Sequence, residues 1–287
     1  MGKPMATNIL KAGFPLVVHN RSQASVDELV KLGAVKAQSP RETAGQVDVV
    51  FTNLPDSPDV EKVVLGENGI LAGAHPGLIF VDNSTIKPGT ARKLAAALAE
   101  KGVLSLDAPV SGGDIGAING TLAIMVGGPE QALQKVLPIF HAIGKTITHV
   151  GDSGAGQIAK AANQIMVAAQ MVAMGELLIF AQKAGANPHK VIQAIQNGAA
   201  QCWTLDNKPP RLFAGNRKPG FKASLQAKDL NIVMESSHEF GVPLPSTAVN
   251  TQLFQAMLQS GLQDMDNSDV IEIIEKLANT RLVEETA

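Results

Sequence analysis

Lys160 and Asn163 stand three positions apart at the start of a long apolar run, from Ile158 to about Gly185, rich in Ala, Met, Leu and Ile. The glycine-rich turn Gly151-Asp152-Ser153-Gly154-Ala155-Gly156 leads into it. On a helix this spacing puts both side chains on one face, one turn apart. An unpaired ammonium is costly to bury, so the pair calls for a partner. A lysine in a desolvated site beside other positive charge has its pKa lowered toward neutrality and can exchange a proton with a substrate oxygen. An amide one turn along can orient that group without adding charge. Read by itself, Lys160 is more simply a lysine snorkelling from a helix end.

A second stretch is Asp107-Ala108-Pro109-Val110-Ser111-Gly112-Gly113. Adjacent glycines let the backbone approach a ligand closely and offer N–H groups to an anion; a glycine-rich loop without a ligand is the alternative. Lys228-Asp229 follows Lys218-Pro219-Gly220-Phe221 on an expected helix and, alone, reads as an exposed ion pair. His19, His75, His141, His149, His189 and His238 show no metal-ligand spacing, so no metal is expected. Cys202 has no basic neighbour and reads as inert. Trp203 fits a substrate entrance, a core or an interface equally well. Met166, Met171 and Met174 read as helix packing. The chain has no tyrosine, which removes any mechanism needing a tyrosine acid.

The elements that must position these residues follow from pattern. A helix over 3–12 closes at Gly13; strands are expected at 16–20, 47–54, 78–82, 103–107, 122–126 and 146–150. Helices are expected at 24–32, 60–65, 90–101 and 130–143, with a Gly- and Pro-rich loop before the strand at 78–82. Near-continuous apolar strands alternating with helices argue for a parallel sheet covered on both faces. From Gly156 the period turns helical, over 156–185, 188–197, 224–240, 245–260 and 267–278; the polar tail 279–287 is expected to fray. The expected fold is α/β, a Rossmann-like doubly wound sheet over residues 1–151. An all-α C-terminal domain over 152–287 follows, joined by the long helix.

With 287 residues, 45% of them hydrophobic and 17% charged, the chain can bury a substantial core. A net charge of −2 argues against a nucleic-acid or membrane-surface partner. One cysteine fits a reducing compartment. Ile158–Gly185 is long enough to span a bilayer, but Lys160, Asn163, Gln164, Gln170, Glu176 and Gln182 interrupt it. A soluble, cytoplasmic protein is expected.

Gly2-Lys3-Pro4-Met5-Ala6-Thr7-Asn8, Asp107–Gly113, Gly154-Ala155-Gly156-Gln157-Ile158-Ala159-Lys160-Ala161-Ala162-Asn163 and Lys228-Asp229-Leu230 stand in one order along the chain. Together they resemble the β-hydroxyacid dehydrogenase family, which includes 3-hydroxyisobutyrate dehydrogenases and tartronate semialdehyde reductases. The resemblance covers essentially the whole chain. It departs at the start, where that fold places a first strand and a Gly-x-Gly turn before the helix; Gly2 would be the third glycine of that turn.

The resemblance implies hydride transfer between a nicotinamide and a small 3-hydroxy acid or its semialdehyde, of the tartronate semialdehyde or 3-hydroxyisobutyrate type. Lys160 would be the general acid and base, with Asn163 orienting. Ser111, Gly112 and Gly113 would hold the substrate carboxylate. Gly2, Asn20, Arg21, Ser22, Leu54, Pro55, Thr85 and Lys228 would contact the cofactor, and Asp229 would support the site. Asn20-Arg21-Ser22 ends a strand with an arginine and no acid, which favours NADP over NAD. A homodimer or homotetramer is expected by the same resemblance. The rival expectations are a catalytically silent binding module, which should have lost the lysine, and a truncated product lacking the phosphate turn.

Overall fold

A computed structural model describes residues 1–283; residues 284–287, the end of the polar tail, lie outside the described residues. The chain forms two compact units, Met1–Lys160 and Ala161–Ala287.

The first unit begins with α1 (Gly2–Lys11), β1 (Val17–Val18), α2 (Gln23–Lys31), β2 (Val35–Lys36) and α3 (Pro40–Ala44). Then come β3 (Val49–Thr52), α4 (Ser57–Leu65), α5 (Ile70–Gly73), β4 (Ile79–Asp82), α6 (Pro88–Ala99) and β5 (Leu104–Asp107). It ends with β6 (Val110–Ser111), α7 (Gly113–Asn119), β7 (Leu122–Gly127), α8 (Glu130–Ile143), β8 (Gly144–Gly151) and the first turns of α9 (Ala155–Lys183). The sheet comes in two pieces. β1 and β2 pair in parallel, while the larger piece runs β3-β4-β5-β7-β6 with β8 also on β7.

β4 is buried along its whole length because both sheet faces are covered. Ile79 and Val81 pack with Met5 and Ile9 of α1 and with Leu133, Val136 and Phe140 of α8. On the other face, Val50 and Phe80 pack with Val60 and Val64 of α4 and with Leu94 and Leu98 of α6. This alternation is the period-two rule of a strand. Met5 and Ile9 are one α1 turn apart, which is why so polar a helix still has an inward face.

The pattern predicted a parallel sheet, but the sheet is mixed. β3, β4 and β5 run parallel, but β7 is antiparallel to both β5 and β6. The reason is connection length. The return from β6 to β7 carries only the seven-residue α7, whereas a parallel crossover needs roughly a dozen residues or more. The stretch expected as loop before β4 contains α5, and β2, α3, β6 and α7 lie where no element was expected. All are of seven residues or fewer, too short for periodicity to register.

The second unit holds the rest of α9, then α10 (Pro188–Ile195), α11 (Trp203–Asn207), α12 (Pro209–Phe213), α13 (Ala223–Phe240) and α14 (Pro245–Gln259). A 3₁₀ turn (Asn267–Val270) leads into α15 (Ile271–Leu277). Ala168, Met171, Val172, Met174 and Leu178 of α9 enter one core with Leu230, Phe254, Met257 and Ile274, so Met171 and Met174 are packing residues as expected. Met166 is exposed. A Cβ on Gly175 would come within 2.7 Å of Ile274 Cδ1, so the end of the Ile274 side chain would have to shift to admit one. By length and composition α9 could cross a membrane, and half of its most apolar window is buried inside the protein.

Candidate active site

In the first unit the site-bearing residues gather at the C-terminal ends of the parallel strands. The first turn of α1 lies against the end of β3, where a Cβ built on Gly2 would stand 3.8 Å from Asn53 Cβ. That brings Gly2 beside Asn53, the residue before Leu54. The Leu54 N–H donates to Ser84 Oγ (2.8 Å), which ties the end of β3 to the end of β4. Asp82, buried at 2% exposure, organises this junction. Its Oδ1 accepts from Thr52 Oγ1 (2.8 Å) and from the Ser84 N–H (3.0 Å). Burial pushes its carboxyl up to about 6, against the pull of those donors and with help from neighbouring Asp107.

Thr85 is gripped on both flanks. Gln157, buried in the first turn of α9, donates from Nε2 to the Ser84 carbonyl (2.9 Å) and accepts the Ile86 N–H at Oε1 (3.1 Å). Asp107 in turn accepts the N–H groups of Gly154 (2.7 Å) and Gln157 (2.9 Å), so the carboxylate at the end of β5 anchors the start of α9. Burial raises the Asp107 carboxyl above its ordinary range, while those N–H groups oppose the shift. The fit is tight: a Cβ on Gly156 would lie 2.2 Å from the Asp107 carbonyl oxygen.

The same turn delivers Lys160 to the second glycine-rich stretch. Lys160 is 6% exposed, and its Nζ donates to the Val110 carbonyl (2.8 Å), one residue before Ser111. Gly112 and Gly113 have φ of +132° and +65°, conformations that side chains other than glycine's disfavour. Asn20, Arg21 and Ser22 are exposed between β1 and α2; Asn20 Nδ2 donates to the Ser22 carbonyl (3.3 Å).

In the second unit Asn163, Lys228 and Asp229 are joined. Asn163 Nδ2 donates to Gln164 Oε1 (2.7 Å), and Gln164 Nε2 donates to Asp229 Oδ2 (2.6 Å). Lys228 Nζ lies 2.7 Å from Asp229 Oδ1. The pair is not the exposed ion pair that its sequence alone suggested, since Asp229 is only 3% exposed. Such a chain of buried polar groups fixes side-chain orientation more firmly than any single bond.

Asp82, Asp107, Gln157 and Gln164 were given no role from sequence. A signal existed for the two acids: each closes an apolar strand, Ile79–Asp82 and Leu104–Asp107, where a burial pattern expects another hydrophobe. For the glutamines there was none.

The strand ends fit a dinucleotide. The α1 N-terminus has no side-chain cap, so its first N–H groups are available to an anion. Asn83 Oδ1, at the end of β4, is buried with no hydrogen-bond partner. Such an acceptor suits a ligand hydroxyl or amide donor. Among the described residues no group of three His, Cys, Asp or Glu could hold a metal ion.

Known proteins show the same organisation. A family model for the NAD binding domain of 6-phosphogluconate dehydrogenase matches residues 1–151, and one for the NAD-binding of NADP-dependent 3-hydroxyisobutyrate dehydrogenase matches 154–274. The 2-hydroxy-3-oxopropionate reductase of Escherichia coli (strain K12) is 42% identical over 282 residues, 98% of this chain and 96% of that protein. The solved structure of Mycobacterium tuberculosis 3-hydroxyisobutyrate dehydrogenase with L-serine is 32% identical, with a TM-score of 0.88 over 96% of this chain and 95% of that one. Psf3 in complex with NADP+ and 2-OPP is 25% identical, with a TM-score of 0.87 over 96% of both chains. With both halves matched and a relative at this identity along nearly its full length, the chain belongs to the β-hydroxyacid dehydrogenase family of NAD(P)-dependent oxidoreductases.

Proposed function

We propose that this enzyme interconverts a small 3-hydroxy acid and its semialdehyde, with Lys160 as general acid and base. The observation that carries the reading is the buried Lys160 Nζ, 2.8 Å from the Val110 carbonyl and therefore beside Ser111-Gly112-Gly113. In that loop Ser111 and the backbone N–H groups of Gly112 and Gly113 bind the substrate carboxylate. Binding the carboxylate there holds the reacting oxygen near the ammonium. When bound, the nicotinamide cofactor supplies hydride to the carbonyl carbon or accepts it from the alcohol carbon. In reduction Lys160 Nζ gives its proton to the carbonyl oxygen; in oxidation it takes the hydroxyl proton. Asn163 orients the reactants, held through Gln164 and Asp229.

The cofactor is NADP in this reading, held by Gly2 at the α1 N-terminus and by Leu54, Pro55, Thr85 and Lys228. Asn20, Arg21 and Ser22 surround the 2′-phosphate; Arg21 is exposed and no acid stands at that strand end to prefer a free ribose hydroxyl. The functional domains are residues 1–151 and 152–287. The protein is soluble, cytoplasmic and a homodimer or homotetramer, which light scattering of the purified chain tests. The natural substrate resembles tartronate semialdehyde or 3-hydroxyisobutyrate, and a panel of such acids with NADPH and NADH separates them.

The decisive variant is Lys160→Ala. Loss of a positioned proton group costs about 10²- to 10⁴-fold, so kcat falls by at least the lower figure while the circular dichroism spectrum is unchanged. Near-normal turnover in this variant would sink the assignment.

A further inference from the structure

We propose that Gln157 is a positioning residue whose carboxamide clamps the backbone on both sides of Thr85 and so keeps the Thr85 loop in register with Lys160. This rests on the reading of Lys160 as the proton group and of Thr85 as a cofactor contact.

Gln157 and Lys160 share the first two turns of α9, three residues apart, so at 1.5 Å of rise per residue they are about 4.5 Å apart along the axis. Gln157 is 1% exposed, and both ends of its amide are used. Nε2 donates to the Ser84 carbonyl (2.9 Å) and Oε1 accepts the Ile86 N–H (3.1 Å), so the only residue between the two contacts is Thr85. A single hydrogen bond to a loop leaves it free to pivot; two bonds of opposite polarity from one planar group do not. The other end of the lever is equally fixed, because Asp107 accepts the backbone N–H of Gln157 itself. Ser84 is held at its N–H by Asp82 and at its Oγ by the Leu54 N–H. Helix, clamp and loop therefore form one rigid path. A purely architectural glutamine would satisfy buried backbone groups anywhere. This one spans the residue that meets the cofactor from the helix that carries the proton.

Misplacing reacting groups by about 1 Å costs on the order of 100-fold. Gln157→Leu, which keeps the bulk and loses both bonds, is expected to lower kcat about 100-fold with saturating NADPH and to weaken NADPH binding, measured by its fluorescence without turnover. Gln157→Glu gives the readout that a structural role would not move. As a carboxylate it still accepts from Ile86 but presents no donor to the Ser84 carbonyl. Protonated, it recovers both bonds. Its kcat should therefore rise toward the wild-type value as pH falls, while Gln157→Leu stays low at every pH. The titratable groups around this position are Asp107 on β5, Asp82 on β4, Arg92 on α6 and Lys160 on α9 itself. They are common to both variants, so they cancel in the comparison.

Recovery of the Glu variant relative to the Leu variant on acidification, with the Leu variant low at every pH, supports the clamp. A kcat within about threefold of wild type in Gln157→Leu overturns it, as does a Glu variant whose loss does not recover. Near-normal turnover in Lys160→Ala would remove the proton assignment instead, and the NADPH affinity of the Gln157 variants then still decides whether Thr85 is held.

Discussion

In the proposed reading, cofactor choice turns on Arg21. It stands exposed in the turn between β1 and α2, with neither Asn20 nor Ser22 supplying an acid. A charge-assisted hydrogen bond contributes about 1.5–3 kcal/mol. Arg21→Ala should therefore raise KM for NADPH by roughly 10- to 100-fold and leave KM for NADH nearly unchanged. Equal changes for both cofactors in steady-state assays would count against a 2′-phosphate contact. Lys160 shows how much a residue's meaning depends on its surroundings. By sequence alone it is an ordinary helix-end lysine. At 6% exposure, bonded to a backbone carbonyl beside two positive-φ glycines, it is a buried donor held against the loop that the proposed reading gives to the substrate carboxylate.

Between elements, Asp82 and Asp107 do the joining, and they differ in how. Asp107 binds two backbone N–H groups at the start of α9, while Asp82 ties β3 to β4 through Thr52 and Ser84. Asp82 Oδ2 has no hydrogen-bond partner and lines a small cavity with Ser105, whose Oγ also has none. The folded Asp82 carboxyl titrates at about 6, above the ordinary 3.8, chiefly because it is buried. Its raised value means the folded state binds this proton more tightly than the unfolded chain does. The stabilisation is therefore fully present below about pH 4 and is lost as pH rises through about 6. Two pKa units correspond to roughly 3 kcal/mol. Asp82→Asn keeps an acceptor for Thr52 and Ser84 and sets an amide N–H group toward the Ser105 side. The stability difference between wild type and variant, from urea unfolding at several pH values, should move in the variant's favour between pH 4 and 7. A difference that is flat with pH would show that Asp82 is charged throughout. Asp266 acts in the opposite sense: burial works to raise its carboxyl, but the Lys208 ammonium at 2.5 Å holds it below its ordinary value. Its contribution is lost as pH falls, which is why the comparison must be against the variant.

For the whole molecule, each unit has its own core, so a ligand of the first unit acts on the stability of that unit's fold. NADPH at about 100 times its Kd should add about 2.7 kcal/mol. For a domain of this size that raises Tm by roughly 5–10 °C. Scanning calorimetry with and without NADPH checks it, and an unmoved first-unit transition would argue against cofactor binding there. The same experiment on Arg21→Ala, with NADH beside NADPH, ties the residue-scale prediction to the stability of the fold.

An α/β half followed by helices was legible in the chain because period and punctuation are local. Strand cores such as Ile79–Asp82 read as continuous apolar runs, and glycines such as Gly13 and Gly241, both at positive φ, end helices wherever the chain goes next. The pairing of Lys160 with Asn163 was legible for the same reason, since helical spacing alone decides which residues share a face. The reversal of β7 was not, because it depends on which strand lies beside which, and no window of sequence contains that. Nor was the wiring of the site. Gln157 meets Ser84 and Ile86 across 73 and 71 residues of chain, and Asp107 meets Gly154 across 47. Sequence determined that a lysine and an amide would start a long apolar helix. Only the packing of α9 against the strand ends, close enough that Gly156 has no room for a methyl group, decided what they would face.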